Sequence, residues 1–217
     1  MSGNFNMAIG TEALRDSTAN LNVAIGFRVG FLNTTGNHLT GIGAGALLSN
    51  TTGSFNTGIG AGALKQNTIG SLNTATGFNA LLNNITGEDN NAFGARALFN
   101  NSEGFFNNAH GRNALFNNTN SENNALGDLA LEDNTTGSSN TAIGDDALRF
   151  NVDGSGNIAI GDEAGTGLGR ASITASRSAH PVQVLLLPLI TPASSATSSV
   201  ETLATPDHSG TSVCRSI

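Results

Sequence analysis

Apolar residues alternate with asparagine and glycine along most of this chain, and the pattern returns at a fixed interval. A tripeptide of the form Ala-Ile-Gly, or a close variant, ends at glycines spaced 16 or 17 residues apart. The ten repeat glycines are Gly10, Gly26, Gly43, Gly60, Gly77, Gly94, Gly111, Gly127, Gly144 and Gly161. A fixed period of this length indicates stacked coils, each of which contacts only its neighbours.

Each repeat places the same residue types at constant distances from its glycine. The residue before the glycine is apolar in eight of ten copies, and alanine follows three residues after it in nine, usually with leucine next. These columns predict continuous apolar stripes along the stack. Asparagine lies four residues before the glycine in nine copies and seven residues after it in eight. The two columns include Asn56, Asn73, Asn90, Asn107 and Asn140, and Asn50, Asn67, Asn84, Asn101 and Asn134, and we expect their amides to form hydrogen-bonded ladders.

The segments between the glycines are too short for helices and show no helical period, so they predict short β-strands. The recurring turn Asn-Thr-Thr-Gly, at 33–36, 50–53 and 134–137, predicts glycine at a positive φ angle. We therefore predict an all-β fold, a parallel β-solenoid of about ten 17-residue coils over residues 1–168. Each coil is expected to hold two short strands and two turns.

The composition changes abruptly at the start of the segment 169–217. The asparagine and glycine columns stop, and all four prolines of the chain lie in this segment, which is rich in Ser, Thr and Ala. One interpretation is a disordered tail or linker. The other is a frameshift product, because permissible codons for residues 188–198 spell a repeat-like sequence in another frame.

Composition and charge exclude several classes of partner. The net charge of −7, without a Lys/Arg cluster, argues against a nucleic-acid partner. The single cysteine, Cys214, excludes an internal disulfide framework and a cysteine-based metal site. The longest apolar run, 181–190, is interrupted by Pro188 and is too short for a membrane span. The first residues show no signal-peptide pattern.

Candidate chemistry within the repeats is sparse. Residues 56–64, Asn-Thr-Gly-Ile-Gly-Ala-Gly-Ala-Leu, look like a phosphate-binding glycine loop, but only Gly60 belongs to the all-glycine column. Gly58 and Gly62 occupy columns that vary, and no crossover helix has room to follow. His110 stands in the apolar column, where we expect it to stack among its neighbours. The acidic pairs at 145–146 and 162–163 are expected to be solvated, so we predict no catalytic residue, no cofactor and no metal.

The unit Asn-Thr-Ala-Ile-Gly-Asp-Asp-Ala-Leu at 140–148 resembles the head repeats of YadA-type trimeric autotransporter adhesins. Similar repeats occur in phage tail-fibre-like and other bacterial surface proteins. The resemblance covers about 168 of 217 residues. It implies a left-handed parallel β-roll, three chains side by side, and attachment at the cell surface or outside the cell. The period of 17 is longer than the usual head repeat, and we expect neither a coiled-coil stalk nor an anchor barrel within these 217 residues.

Three functions remain open from the sequence. The first is a non-catalytic structural or adhesive surface module that forms a homotrimer and binds an extracellular matrix or another surface. The second is an ice- or crystal-binding solenoid, because threonine recurs eight residues after the glycine. The third, an acyltransferase of the hexapeptide-repeat type, is disfavoured because a 17-residue coil does not supply three six-residue steps.

Overall fold

The computed structural model describes residues 3–166 and 184–185, which belong to one compact unit, Met1–Leu187. Each of the ten repeats contributes one three-residue strand to a single parallel sheet. The strands are β1 (Met7–Ile9), β2 (Val23–Ile25), β3 (Thr40–Ile42), β4 (Thr57–Ile59), β5 (Thr74–Thr76), β6 (Asn91–Phe93), β7 (Asn108–His110), β8 (Asn124–Leu126), β9 (Thr141–Ile143) and β10 (Ile158–Ile160). Neighbours in the sheet follow chain order. The predicted all-β parallel solenoid is therefore confirmed, with about nine turns between the first and last of these strands.

The register of the sheet joins equivalent positions of successive repeats. Thr40 lies opposite Thr57, and Ile42 lies opposite Ile59. An eleventh strand, β11 (Val184–Leu185), pairs in parallel with β10, with Val184 opposite Ile158. This strand lies within the segment predicted to be an irregular tail. The predictions for the rest of 169–217, a disordered tail or a frameshift product, lie outside the described residues.

The prediction of two strands in each coil is wrong, because each coil contains one. The segment after each repeat glycine is bent by residues in the left-handed region, such as Asn79 at a φ of 55° and Leu81 at a φ of 50°. A third left-handed residue, such as Leu72 at 61°, precedes the next strand by two positions. Because left-handed residues turn the chain sharply, no second extended segment forms.

The core is a narrow column of alanine and leucine. The middle residue of each strand from β2 to β10 is buried, as are most of the alanines and leucines three and four residues after the glycine; Ala75, Ala80 and Leu81 are all completely buried. Side chains alternate across a strand, so the first and third strand residues point outward. Ile59, at the third position of β4, is 38% exposed. Of the two predicted apolar stripes, the alanine–leucine stripe is therefore covered and the isoleucine-containing stripe is not.

Steric constraints explain why glycine occupies the repeat position in every coil. The φ angles of this column lie between 118° and 144°, a region that L-residues with a side chain rarely adopt. A Cβ atom at Gly94 would also collide with the carbonyl oxygen of Gly111 in the next coil. Both the backbone angle and the close approach of successive coils therefore require glycine at this position.

The turn glycines are required for a different reason from the one predicted. Gly87 and its equivalents in the Asn-Thr-Thr-Gly turns do not have φ angles in the left-handed region, so that prediction is wrong. A Cβ atom at Gly87 would instead collide with the carbonyl oxygen of Gly104 and with the side-chain oxygen of Asn84. The turn of one coil lies directly against the turn of the next, which leaves no room for a side chain.

We predict that Gly94→Ala lowers the free energy of unfolding by about 2 kcal/mol or more, because the alanine is strained and also meets the next coil. The matched control is Gly45→Asn. Gly45 also has a positive φ, 68°, but the equivalent positions of other coils hold Asn79 and Asn113 at 55° and 57°. The control should change stability by less than about 1 kcal/mol. Urea unfolding followed by circular dichroism measures both variants, and equal losses would contradict the assignment of the repeat glycine.

Candidate functional site

One asparagine column forms a continuous buried ladder. From Asn50 onward, the Nδ2 atom of each asparagine seven residues after the repeat glycine donates to the Oδ1 atom of its equivalent one coil earlier. Asn67 donates to Asn50 at 2.7 Å, Asn84 to Asn67 at 2.7 Å, and Asn101 to Asn84 at 3.1 Å. Where the coil has a turn glycine, the amide also donates to the carbonyl oxygen of that glycine, as Asn84 does to Gly87 at 3.0 Å. The predicted ladder is therefore confirmed for this column.

The second column, four residues before the repeat glycine, uses its amides to join two coils. The Oδ1 atom of Asn73 accepts from both the backbone N–H and the Nδ2 of Asn90, at 3.0 and 3.1 Å. Its Nδ2 donates to the carbonyl oxygen of Gly87, in the turn of the next coil, at 2.8 Å. The asparagines in the two columns are completely buried from Asn22 to Asn140. This second ladder is confirmed as well.

One position in the second ladder lacks an amide. Leu39 occupies the asparagine position of its coil and is 2% exposed. Its backbone N–H still donates to the Oδ1 atom of Asn22 at 2.8 Å, so one ladder contact is kept. The carbonyl of Gly53, which would receive the missing amide, accepts from Asn50 at 2.9 Å. Leucine therefore replaces a polar contact by apolar burial without breaking the stack.

The glycines of residues 56–64 do not form a phosphate cradle. Gly58 lies in the middle of β4, where a Cβ atom would meet the core side chain of Leu47 at 3.3 Å. The backbone N–H groups of Gly60 and Gly62 donate to Ile42 and Ala44 of the preceding coil at 2.7 and 3.0 Å. A phosphate-binding loop needs free N–H groups, and these are used to stack the coils.

The outward side of the sheet is an uncharged surface along the whole solenoid. We call it the strand face and define it as the first and third residues of β1 to β10. None of these twenty residues is Asp, Glu, Lys or Arg. The third residues Ile9, Leu126 and Ile160 are more than half exposed, at 55%, 52% and 58%. Seven of the ten first residues are Thr or Asn, whereas eight of the ten third residues are apolar, so the face carries one exposed, mostly apolar row. Such a row along the solenoid is typical of an interaction site.

A second row of exposed apolar side chains borders the strand face in sequence. It lies two residues before each strand and includes Phe5, Leu21, Phe55, Leu72 and Phe106, which are 47–85% exposed. This row is not evident from the repeat consensus, because its position also holds His38, Asp89, Glu122, Ser139 and Gly156. A column-by-column count of apolar residues outside the repeat consensus would have found it.

The two histidines of the solenoid stack on phenylalanine. The ring of His110 lies 4.9 Å from the ring of Phe93, and that of His38 lies 4.7 Å from Phe55. The expectation that His110 stacks among its neighbours is confirmed. A catalytic histidine requires a hydrogen-bonded orienting group; among the described residues, neither imidazole has one.

Charge is distributed unevenly along the solenoid. The C-terminal coils hold the acidic pairs Asp145–Asp146 and Asp162–Glu163, and Arg149 donates to Asp146 at 2.9 Å. Within residues 3–166 and 184–185, no group of three His, Cys, Asp or Glu side chains is placed to hold a metal ion. In the N-terminal coils, the hydrogen bond from Arg28 to Glu12, at 2.6 Å, holds the pKa of Glu12 below its ordinary value.

The threonine row uses its hydroxyl protons within the solenoid. The Oγ1 atoms of Thr34, Thr51 and Thr68 donate to the backbone carbonyl eight residues after the next repeat glycine, at 2.8, 2.9 and 3.0 Å. The row therefore helps to join the turns of successive coils. It offers oxygen acceptors to the solvent, but its donors are occupied.

Comparisons of the chain with protein-family models, with curated proteins and with solved structures give no match. The resemblance to adhesin head repeats therefore rests on the repeat pattern alone. No helix in the described part of the chain is both long and apolar enough to cross a bilayer.

We predict that Asn84→Ala lowers the free energy of unfolding by about 2–3 kcal/mol, because it leaves the buried Oδ1 of Asn67 without its donor and opens a small cavity. The matched control is Asn83→Ala, since Asn83 is half-buried and its Nδ2 donates to Asn100 at 3.0 Å. That substitution should cost about 1 kcal/mol or less. Chemical unfolding compares the two. An equal loss of unfolding free energy in the two variants would mean that the buried ladder contributes no more to stability than the half-buried asparagines do.

Proposed function

We propose that this chain is a non-catalytic structural and adhesive module of a surface fibre, and that its strand face packs against identical chains, three in the assembly. The observation that carries the proposal is the combination of a fully covered Ala–Leu core with an uncharged, exposed strand face. A soluble monomer rarely leaves a row of this kind, apolar at eight of its ten third strand residues, in contact with water.

Identical partners fit the strand face better than an unrelated protein does. A solenoid repeats its surface at a constant step, so a second copy presents the same spacing along its whole length. Closed rotational symmetry buries the face of every chain equally. The trimer is the arrangement that the resemblance to adhesin heads implies, and a location outside the cell or on its surface belongs to the same proposal.

The adhesive role would be carried by the sides of the solenoid that remain exposed in such an assembly. Repeated surfaces bind extended partners through many weak contacts, so an extracellular matrix or another surface is a suitable target. The alternatives have less support. The threonine donors are occupied, and one strand in each coil does not provide the three steps of a hexapeptide acyltransferase.

We expect multi-angle light scattering of the full chain to give three times the 21.9 kDa mass of one chain. Ile59→Lys should shift the mass to that of one chain with little loss of thermal stability, because it places a charge on the strand face but outside the core. The matched control is Thr52→Lys. Thr52 is exposed on a turn, where equivalent positions hold Glu103 and Asp153, and this variant should keep the trimer. A single-chain mass for the wild type at all concentrations would contradict the proposal.

A further inference from the structure

A recess of about 350 Å³ lies in the surface of the third and fourth coils, in the segments that follow the repeat glycines. Its floor contains Ala44 and Gly45 of one coil and Ala61 and Gly62 of the next. Phe27 lines it from the preceding coil and Phe78 from the following coil. We call this feature the Phe27–Phe78 recess.

The recess exists because two neighbouring coils hold only alanine and glycine at the same two positions. Other coils fill the second of these positions with residues such as Arg96, Asn113 and Asp146, at φ angles of 55–60°. Glycine is therefore not required there by the backbone. At Gly45, a Cβ atom would meet only the Cδ1 atom of Leu48, at 3.8 Å, so the space in front of it is open.

The two phenylalanine side chains provide apolar walls that are open to solvent. Phe27 and Phe78 are 52% and 54% exposed. They lie three coils apart, which corresponds to about 14 Å at the usual spacing of stacked strands. The gap suits one or two sugar rings lying along the solenoid. The C–H groups of a sugar ring carry partial positive charge, and they pack favourably on the negative face of an aromatic ring.

The electrostatics of the recess favour a negative ligand. The chain as a whole carries a net charge of −7, yet no Asp or Glu occurs between Asp16 and Glu88. Arg28 and Lys65 both line the recess. Arg28 is paired with Glu12 at 2.6 Å, whereas Lys65 forms no ion pair among the described residues. Lys65 therefore supplies one uncompensated positive charge beside an apolar floor.

The polar groups of the recess distinguish a sugar from a phosphate. The N–H groups of Gly45 and Gly62 donate to Phe27 and Ala44 at 2.8 and 3.0 Å, so the two glycines offer no free N–H group to an anion. A single lysine with an apolar floor suits one carboxylate or sulfate attached to a ring. The amide of Asn79 lies at the recess and can bond hydroxyl groups.

We propose that the Phe27–Phe78 recess binds an acidic saccharide, with its ring between the two phenylalanines and its carboxylate or sulfate at Lys65. The saccharide is proposed as the ligand of an adhesive module, so this inference rests on the proposed function. The binding itself needs only one chain and can be measured whether or not the protein forms trimers.

Saturation-transfer NMR of the full chain tests the proposal with three probes: digalacturonic acid, galactose 6-sulfate and cellobiose. At least one of the two acidic sugars should bind about fivefold more tightly than uncharged cellobiose, and the better one identifies the anionic group. Lys65→Gln should remove this preference. Gly45→Asn should abolish binding, because it fills the recess with a side chain that other coils hold at the same position. Phe150→Ala, which removes a phenylalanine that does not line the recess, should bind like the wild type.

Three results would overturn the proposal: no binding of either acidic sugar, equal binding of cellobiose, or unchanged binding by folded Gly45→Asn. Circular dichroism confirms the folding of each variant, and Lys65→Gln provides a second test at an exposed site. The light-scattering mass separates this inference from the proposed function. Acidic-sugar binding by a protein of single-chain mass would uphold the recess and reject the trimer, whereas a trimer without binding would do the reverse.

Discussion

Buried asparagine amides fix the position of every coil on the next. An amide with no access to water must find its partners inside the solenoid, and here those partners are the equivalent amide and a turn carbonyl. A slip of one residue would set the asparagine columns against neighbouring columns, such as the threonine column, and leave buried amides without their equivalent partners. The ladders therefore define the register that the short strands alone would hold weakly, since each strand has only three residues.

The two shorter coils show how strongly this constraint acts. The 16-residue coils after Gly10 and Gly111 are shorter by one residue of the Asn-Thr-Thr-Gly turn. Both coils keep a residue at every ladder position. In the first, the carbonyl of Ala19 accepts the amide of Asn6 at 2.7 Å. In the second, the carbonyl of Asn120 accepts from Asn107 and Asn118 at 2.8 and 2.7 Å. The deletion is tolerated because another carbonyl takes over the role of the turn glycine.

The sequence was sufficient to predict the solenoid, its period and the ladders. A repeat shows which positions are structurally equivalent. When asparagine or glycine recurs at one such position, only a few physical requirements can explain it. Backbone angles were harder to predict. Glycine in the Asn-Thr-Thr-Gly turn suggests a positive φ, but Gly87 is needed because the next turn lies too close for a side chain. Leu81, in contrast, adopts a left-handed conformation that no leucine pattern would predict.

The sequence is also sufficient to predict which apolar stripe faces the core and which faces outward. Asn73 is buried by its ladder, and side chains alternate along the strand that follows, so Ala75 must point inward and Thr74 and Thr76 outward. The same logic places Ile59 on the outside. The recess could not be found this way, because it depends on how neighbouring coils differ from the repeat. Gly45 and Gly62 differ from the residues that other coils hold at this position. Their effect is seen only in the structure, where Phe27 and Phe78 lie on either side of them.

The strand face and the Phe27–Phe78 recess use different parts of each coil. The repeat glycine separates them along the chain: Ile42 belongs to the strand face, whereas Ala44, two residues later, lines the recess. Gly43, at a φ of 118°, lies between them. None of the residues that line the recess belongs to a strand, so a partner that covers the strand face need not contact the recess lining. One repeated coil can thus supply one surface that is uncharged along the solenoid and another that varies locally. The local surface is where a specific ligand can be recognised.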